Sequence, residues 1–468
     1  MADSDTSATP ARGTVHSRDL YRAVWRWHFY AGLLVLPFLV WLATTGALYV
    51  FHRQIDAVAH RTLLQVTAPS PTAAARPASA LVVAALAAHP GTAFRYTPAA
   101  GPTASAEVGI ATAQGVRHAV FVDPYDARVL GTLPDQGTLG WTLRRLHSLK
   151  TFGPVARAAT EIAAGWALLL IATGVVLWWP RGRQGGVVSV RGRPRQRVFW
   201  RDLHAVTGIF VAAALAFLAF TGLPWSGVWG AQVNRWANGH HYGYPAGVRV
   251  DVPMSQHRLH AAGPTAWSLE QAQVPMSAHA MHGMGPMPAM APAPADAITL
   301  DDAIAIATQR GMANGFSVLL PAGPQGVYTA SVYPDLLADQ RVIHLDQYTG
   351  KPLIDMRYAD YGWLGRWLEW GINVHMGQEF GVPNQAVLLL ACGGTVLLCV
   401  SGAVAWWKRR PTGALGVPPL PADPRVLRGV IAVLAVGGVL FPLVGASLLV
   451  VLAADLLLQR RAAAAAPA

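Results

Sequence analysis

Five stretches run for about twenty residues without a charged side chain: Phe29–Phe51, Ile162–Trp179, Ala205–Trp225, Ala386–Trp407 and Gly429–Ala454. Roughly 20 helical residues cross a hydrocarbon core of about 30 Å, so each stretch is predicted to span a membrane. The first is longer than the apolar region of a signal peptide and has no A-x-A site after it, which predicts an uncleaved helix. Pro442 interrupts the fifth, which reads as a single span or as a re-entrant pair. Between the spans the period shortens. Ser79–His89 reads as a helix, followed by strands at Val108–Ala113 and Val116–Val122, a turn at Asp123–Asp126 and a further strand. Leu300–Arg310, Gly326–Tyr333, Arg341–Leu345, the turn Asp346–Gly350 and a final strand repeat that order, predicting two small α+β modules.

Composition places the chain in a lipid bilayer, because 53% hydrophobic and 13% charged residues over 468 positions do not suit a soluble protein. The net charge of +12 does not make it a nucleic-acid binder. Its basic residues lie beside the apolar runs, where they set topology. Arg12, Arg18, Arg22 and Arg26 precede the first span; Arg181, Arg183, Arg191, Arg193, Arg195, Arg197 and Arg201 fill the second connection; Lys408, Arg409, Arg410, Arg425 and Arg428 fill the fourth. These segments are expected on the cytoplasmic side of a bacterial inner membrane, leaving residues 52–160 and 226–385 outside. Cys392 and Cys399 share one apolar run and read as core residues.

Aligning the chain on its histidines reveals a duplication. His28 is followed by Gly32 and Thr45-Gly46, and His204 by Gly208 and Thr221-Gly222, at equal offsets. His147 precedes Phe152-Gly153, Gly174 and Trp178-Trp179 as His375 precedes Phe380-Gly381, Gly402 and Trp406-Trp407. The expected fold is a membrane all-α bundle of four core helices arranged as a parallel 2+2 repeat, plus a C-terminal helix, carrying the two α+β modules outside.

The duplication supplies histidines in twos. His28 and His204 fall at the cytoplasmic ends of related helices, His147 and His375 at the outer ends of the other pair. Two imidazoles opposed across a flat macrocycle are what six-coordinate haem iron requires, so two haem groups are expected, one near each surface. Glycines at 32, 46, 174, 208, 222, 393, 394 and 402 leave room for a porphyrin or for close helix packing. Zinc is the competing metal, but its sites gather three or four protein ligands, and each level here offers two. Arg26 and Arg201 inside, and Arg144 and Arg145 outside, are candidate partners for propionates, or headgroup anchors. His52 and His60 compete for the outer site without support from the repeat. Proline after Gly153 and Val382 places His147 and His375 on short helices preceding the spans. The irregular stretch 231–297 contains a Met/His tract, His279–Met287, that reads as a linker or a soft-metal site.

The paired modules ending in Asp123–Gly131 and Asp346–Ile354, the repeated His and Thr-Gly helices, and the exits Trp-Trp-Pro-Arg and Trp-Trp-Lys-Arg-Arg-Pro resemble the PepSY-associated transmembrane family of bacteria over residues 20–410. That resemblance implies two b-type haems at His28, His204, His147 and His375, and reduction of a ferric siderophore or another ferric chelate outside. No GxGxxG follows a strand in the cytoplasmic loops, so a separate flavoprotein or a quinol is the expected electron donor. Trp363, Trp367 and Trp370 read as an acceptor site or as interfacial aromatics. Two other readings stay open: a non-catalytic membrane protein whose modules bind a peptide or protease, and a metal-transport accessory.

Overall fold

A computed structural model describes residues 12–180, 185–240, 242–243, 252–259, 265–277, 297–418 and 423–464. The chain forms two compact units. One comprises Met1–Ala47, Leu146–Ala231 and Ala386–Ala468, the other Leu48–Arg145 and Gln232–Gln385.

The first unit is helical. Four of its helices are long and apolar enough to cross a membrane: Asp19–Tyr49, Pro154–Trp178, Arg197–Trp225 and Gly381–Trp407. The protein is therefore a multi-pass membrane protein. The second of these helices starts at Pro154, whose missing N–H costs nothing at a first helical position, after Gly153 at φ 92°. The helices meet through Trp27, Ala31 and Val35, through Ala163, Trp166 and Ala167, through Leu215 and Ala219, and through Cys399. Both cysteines are buried and free. Glu161, 1% exposed, accepts hydrogen bonds from the backbone N–H groups of Val228 and Trp229 at 3.0 and 3.1 Å. A carboxylate there satisfies two donors at the start of the helix Trp229–Gly239.

Of the two readings of the fifth apolar segment, one long span or a pair interrupted at Pro442, the structure has the interrupted one. It is two helices, Pro424–Leu440 and Pro442–Ala464, broken at Phe441 because the residue before proline is driven out of the helical region. They pack closely where Gly438 meets Gly445, so that a Cβ on Gly438 would lie 2.7 Å from the Gly445 Cα. Val444 fills the space beside Gly165, and Trp166 donates to Ser447 Oγ at 2.8 Å.

The second unit holds the sheet. Its strands are β1 (Thr92–Thr97), β2 (Ala106–Ala111), β3 (Arg117–Val122), β4 (Val129–Pro134), β5 (Met254–Arg258), β6 (Gln273–Pro275), β7 (Ser317–Leu319), β8 (Val327–Val332), β9 (Arg341–Asp346) and β10 (Pro352–Arg357). The two modules are not separate. They share one antiparallel sheet of eight strands in the order β10-β9-β8-β7-β1-β2-β3-β4, joined where Arg95 pairs with Leu319 and Tyr96 with Val318. Within this eight-stranded sheet the joining strands are the two that the polarity pattern missed, for both are too short or too mixed in polarity to stand out. The helices Ala78–Ala88 and Leu300–Gln309 pack with the sheet in one core, through Leu81, Ala85, Ala303 and Ala307 against Val108, Val120, Val318 and Ile343. Asp301, on the second helix, accepts from Ala78 N at 2.6 Å and from the Ser79 hydroxyl, so one copy caps the helix of the other.

Part of the stretch expected to be irregular is ordered. It contributes the helix Trp229–Gly239 and the hairpin β5–β6, with Asn234 and Asn238 bonded to the carbonyls of Trp267 and Ser268. The Met/His tract His279–Met287 lies outside the described residues.

Candidate cofactor site

His28 lies on the first spanning helix and His204 on the third, and the fold of the helical unit brings them together. Their ring centres are 6.4 Å apart with the planes crossed at 80°. A metal–imidazole bond of about 2.0 Å on each side of an ion sets two ring centres about 6 Å apart. The separation therefore suits one metal ion between the rings.

Each ring has its Nδ1 committed. His204 Nδ1 lies 2.9 Å from the Leu398 carbonyl oxygen, an atom that can only accept, so this nitrogen carries the proton. His28 Nδ1 lies 2.9 Å from Thr173 Oγ1. The Thr173 hydroxyl already donates to the Leu169 carbonyl at 2.8 Å, which leaves its oxygen to accept. Both imidazoles are thereby held as Nδ1–H tautomers with the Nε2 lone pair available, the state in which histidine ligates a metal.

The rings border a cavity of about 460 Å³, inside the range of roughly 300–1,000 Å³ typical of cofactor pockets. Gly32, Gly174, Gly208 and Gly402 line it. A Cβ at Gly174 would stand 3.4 Å from His28 Cε1, and one at Gly402 would stand 3.0 Å from His204 Cε1. The two glycines thus make room for the imidazoles themselves, as well as for anything between them.

At its polar edge the cavity is lined by Arg197, Arg201, Asp202 and Arg409, among the aromatic rings of Tyr21, Trp25, Phe29, Trp178 and Trp406. Trp178 and Trp406 donate to the carbonyls of Val187 and Leu415 at 2.8 and 2.9 Å, so the repeated Trp-Trp exits tie down the loops that follow them. Arg201 is already paired with the buried Asp202 at 2.7 Å, and Arg191 joins the same carboxylate at 2.8 Å. Arg409 stacks on Trp25 and Phe29 at 4.8 and 5.4 Å. Arg26 is turned to other work: it is buried, donates to the Pro418 carbonyl and stacks on Tyr30. Sequence reasoning named Arg26 and passed over Arg197 and Arg409. Proximity along the chain favoured Arg26, two residues from a histidine, but two positions on a helix point in nearly opposite directions.

The outer histidines sit on short helices, Leu139–His147 and Trp363–His375, that precede the spans. His147 belongs to the helical unit and His375 to the sheet-bearing one. Within its own unit, His147 repeats the arrangement at His28. Its Nδ1 is 3.0 Å from Thr45 Oγ1, the Thr45 hydroxyl donates to the Trp41 carbonyl at 2.7 Å, and a Cβ on Gly46 would lie 3.3 Å from His147 Cε1. Burial pushes the His147 imidazole down to about 4, keeping it neutral. Arg144 stacks on Trp141 at 4.9 Å, and Arg145 approaches the Thr142 hydroxyl at 3.4 Å. His52 stacks on Tyr49 with ring centres 4.5 Å apart, and His60 Nε2 accepts from Leu139 N at 3.2 Å, so both have local structural partners. Trp363 and Trp367 are exposed.

The hydroxyls of Thr45 and Thr173, which meet His147 and His28, are the groups that sequence reasoning left without a role. Their signal was present: each recurs at the spacing of the histidine repeat. Among the described residues no group of three or more His, Cys, Asp or Glu side chains comes together.

Four spanning helices with two facing imidazoles beside a cavity, and a sheet formed from two copies of one motif, define a duplicated multi-pass membrane protein. That description has a family to go with it. The chain belongs to the family described as the PepSY-associated TM region, which matches residues 25–409. Comparison with the curated proteins gives no match.

Proposed function

We propose that this chain holds a b-type haem between His28 and His204 and carries electrons across the bacterial inner membrane, reducing a ferric siderophore or similar ferric chelate on the outer side. One observation carries the reading: two imidazoles 6.4 Å apart over a 460 Å³ cavity, each with Nδ1 tied back to its surroundings. The residues fit the group. His28 and His204 would ligate the iron, and Arg197 and Arg409 at the polar edge would receive the propionates, with Arg201 shared with Asp202.

When bound, haem supplies an iron that accepts and releases single electrons. The rest is the work of the chain. Thr173 and the Leu398 carbonyl keep both imidazoles oriented with the proton on Nδ1, the glycines keep side chains out of the space between the helices, and the apolar lining excludes water. Overall, one quinol or one reduced flavin on the donor side gives up two electrons and two protons, and two ferric ions become ferrous on the acceptor side. No side chain need act as a proton acid or base toward an iron chelate. For the outer level, the expectation of a second haem at His147 and His375 rests on the histidine repeat.

The test is the purified full-length protein from haem-sufficient cells. A Soret band that sharpens into separate α and β bands on reduction is expected, and His204→Ala should remove the contribution of the His28/His204 site. A colourless wild-type preparation defeats the reading and favours a non-catalytic role for the sheet-bearing unit.

A further inference from the structure

The two ligand histidines of the proposed site are held by different means, although the helices that hold them are copies of one another. In the repeat, Thr173 corresponds to Ser401, Leu169 to Leu397 and Leu170 to Leu398. The hydroxyls behave alike toward their own helices: Thr173 Oγ1 donates to the Leu169 carbonyl at 2.8 Å, and Ser401 Oγ to the Leu397 carbonyl at 2.7 Å. They behave differently toward the imidazoles. His28 Nδ1 rests on the Thr173 hydroxyl, whereas His204 Nδ1 rests on the Leu398 carbonyl, to which Ser401 also donates at 3.1 Å.

Resting on the proposal that haem binds between these histidines, we infer that Thr173 is a positioning residue for His28 and that its repeat-mate Ser401 has no such role for His204. The relay from His28 Nδ1–H to the Thr173 oxygen, and from the Thr173 hydroxyl to the Leu169 carbonyl, fixes which nitrogen of His28 faces the cavity. Each bond in such a chain polarises the next, which raises the basicity of the ligand nitrogen. Removing the hydroxyl takes away the acceptor of the Nδ1–H within an apolar helix bundle, and the ring then gains by turning or by changing tautomer. His204 keeps its acceptor whatever stands at position 401, because a main-chain carbonyl cannot be mutated away. The same hydroxyl relay at His147, through Thr45 to the Trp41 carbonyl, shows that this helix bundle uses the device more than once.

Three variants of the full-length protein separate the possibilities: Thr173→Val, which keeps the shape and loses the hydroxyl, Thr173→Ser, which keeps the hydroxyl, and Ser401→Ala. Haem-to-protein ratio, midpoint potential and the reduced α band are read on each. Thr173→Val is expected to lose about 10–100-fold in haem affinity, the usual effect of deleting a partner behind a metal ligand, and to shift the potential of whatever haem remains. Thr173→Ser is expected to restore both, and Ser401→Ala to match the wild type. If wild-type protein binds haem but Thr173→Val equals it, or Thr173→Ser is as impaired as Thr173→Val, or Ser401→Ala is as impaired as either, this inference is overturned while the haem reading stands. If Thr173→Val does not accumulate, the serine and alanine variants still decide the matter by the same criteria. Wild-type protein that binds no haem overturns both.

Discussion

The same duplication has been put to opposite uses in the two units of this protein. In the sheet-bearing unit the copies meet by backbone hydrogen bonds, β1 to β7, and the seam disappears into a continuous core. In the helical unit the copies leave a cavity between them, edged by His28 and His204 and kept open by glycines. What lies at the junction decides the outcome. Strand edges carry unpaired N–H and C=O groups that gain by pairing, whereas helices satisfy their own backbone and can leave a space between side chains.

The largest test of that contrast is at the seam. Val318 is fully buried and pairs with Tyr96, so Val318→Asp places an unpaired charge in the shared core and is expected to cost about 3–5 kcal/mol. Limited proteolysis should then cleave within residues 78–134 and 300–357 while sparing the spanning helices. Equal protection in variant and wild type would mean that the seam is not what holds the sheet together.

A second contrast lies in two buried glutamates. Glu161 in the helical unit accepts two backbone N–H groups, whereas Glu369, 4% exposed, accepts one, from Ser268 at 2.6 Å. Burial pushes the Glu369 carboxyl up to about 7 from an ordinary value of 4.5. Between those values the folded chain keeps a proton that the unfolded chain has released. This stabilisation is complete below the unfolded value and is lost as pH rises through the folded one, by roughly 3 kcal/mol at most. Melting temperatures taken from pH 4.5 to 8 should show the decline in the wild type and its flattening in Glu369→Gln; parallel curves would refute it.

The finest test compares the halves of the helical unit. A methyl group at position 402 meets the His204 ring at 3.0 Å and one at 174 meets the His28 ring at 3.4 Å. Gly402→Ala is thus expected to cost about 1–3 kcal/mol of haem binding by overpacking, and Gly174→Ala less. Titration of the two apoproteins with haem measures the order, and the reverse order would show that the cavity does not confine the rings as described.

Much of this organisation was legible in the chain alone. Apolar length is sufficient for a spanning helix, because a helix satisfies its backbone within one segment, and the four long spans followed from that. The histidine repeat was visible for a similar reason: a helix has a constant rise, so equal spacing means equal depth. Arg26 and Arg409 were not distinguishable in this way, since which arginine reaches a cavity depends on the rotation of its helix and on partners such as the Pro418 carbonyl.

By itself, then, the sequence determined the membrane class, the duplication and the candidate ligands, all of which depend on local spacing and on the cost of placing polar groups in lipid. Only the tertiary structure decided that β1 and β7 close the two modules into one sheet, that the two helices either side of Pro442 pack together at Gly438 and Gly445, and that Thr173 rather than Ser401 receives an imidazole. Those outcomes depend on which side chains meet across long sequence separations, where a rotation of one helix position or the choice of one strand edge changes every partner.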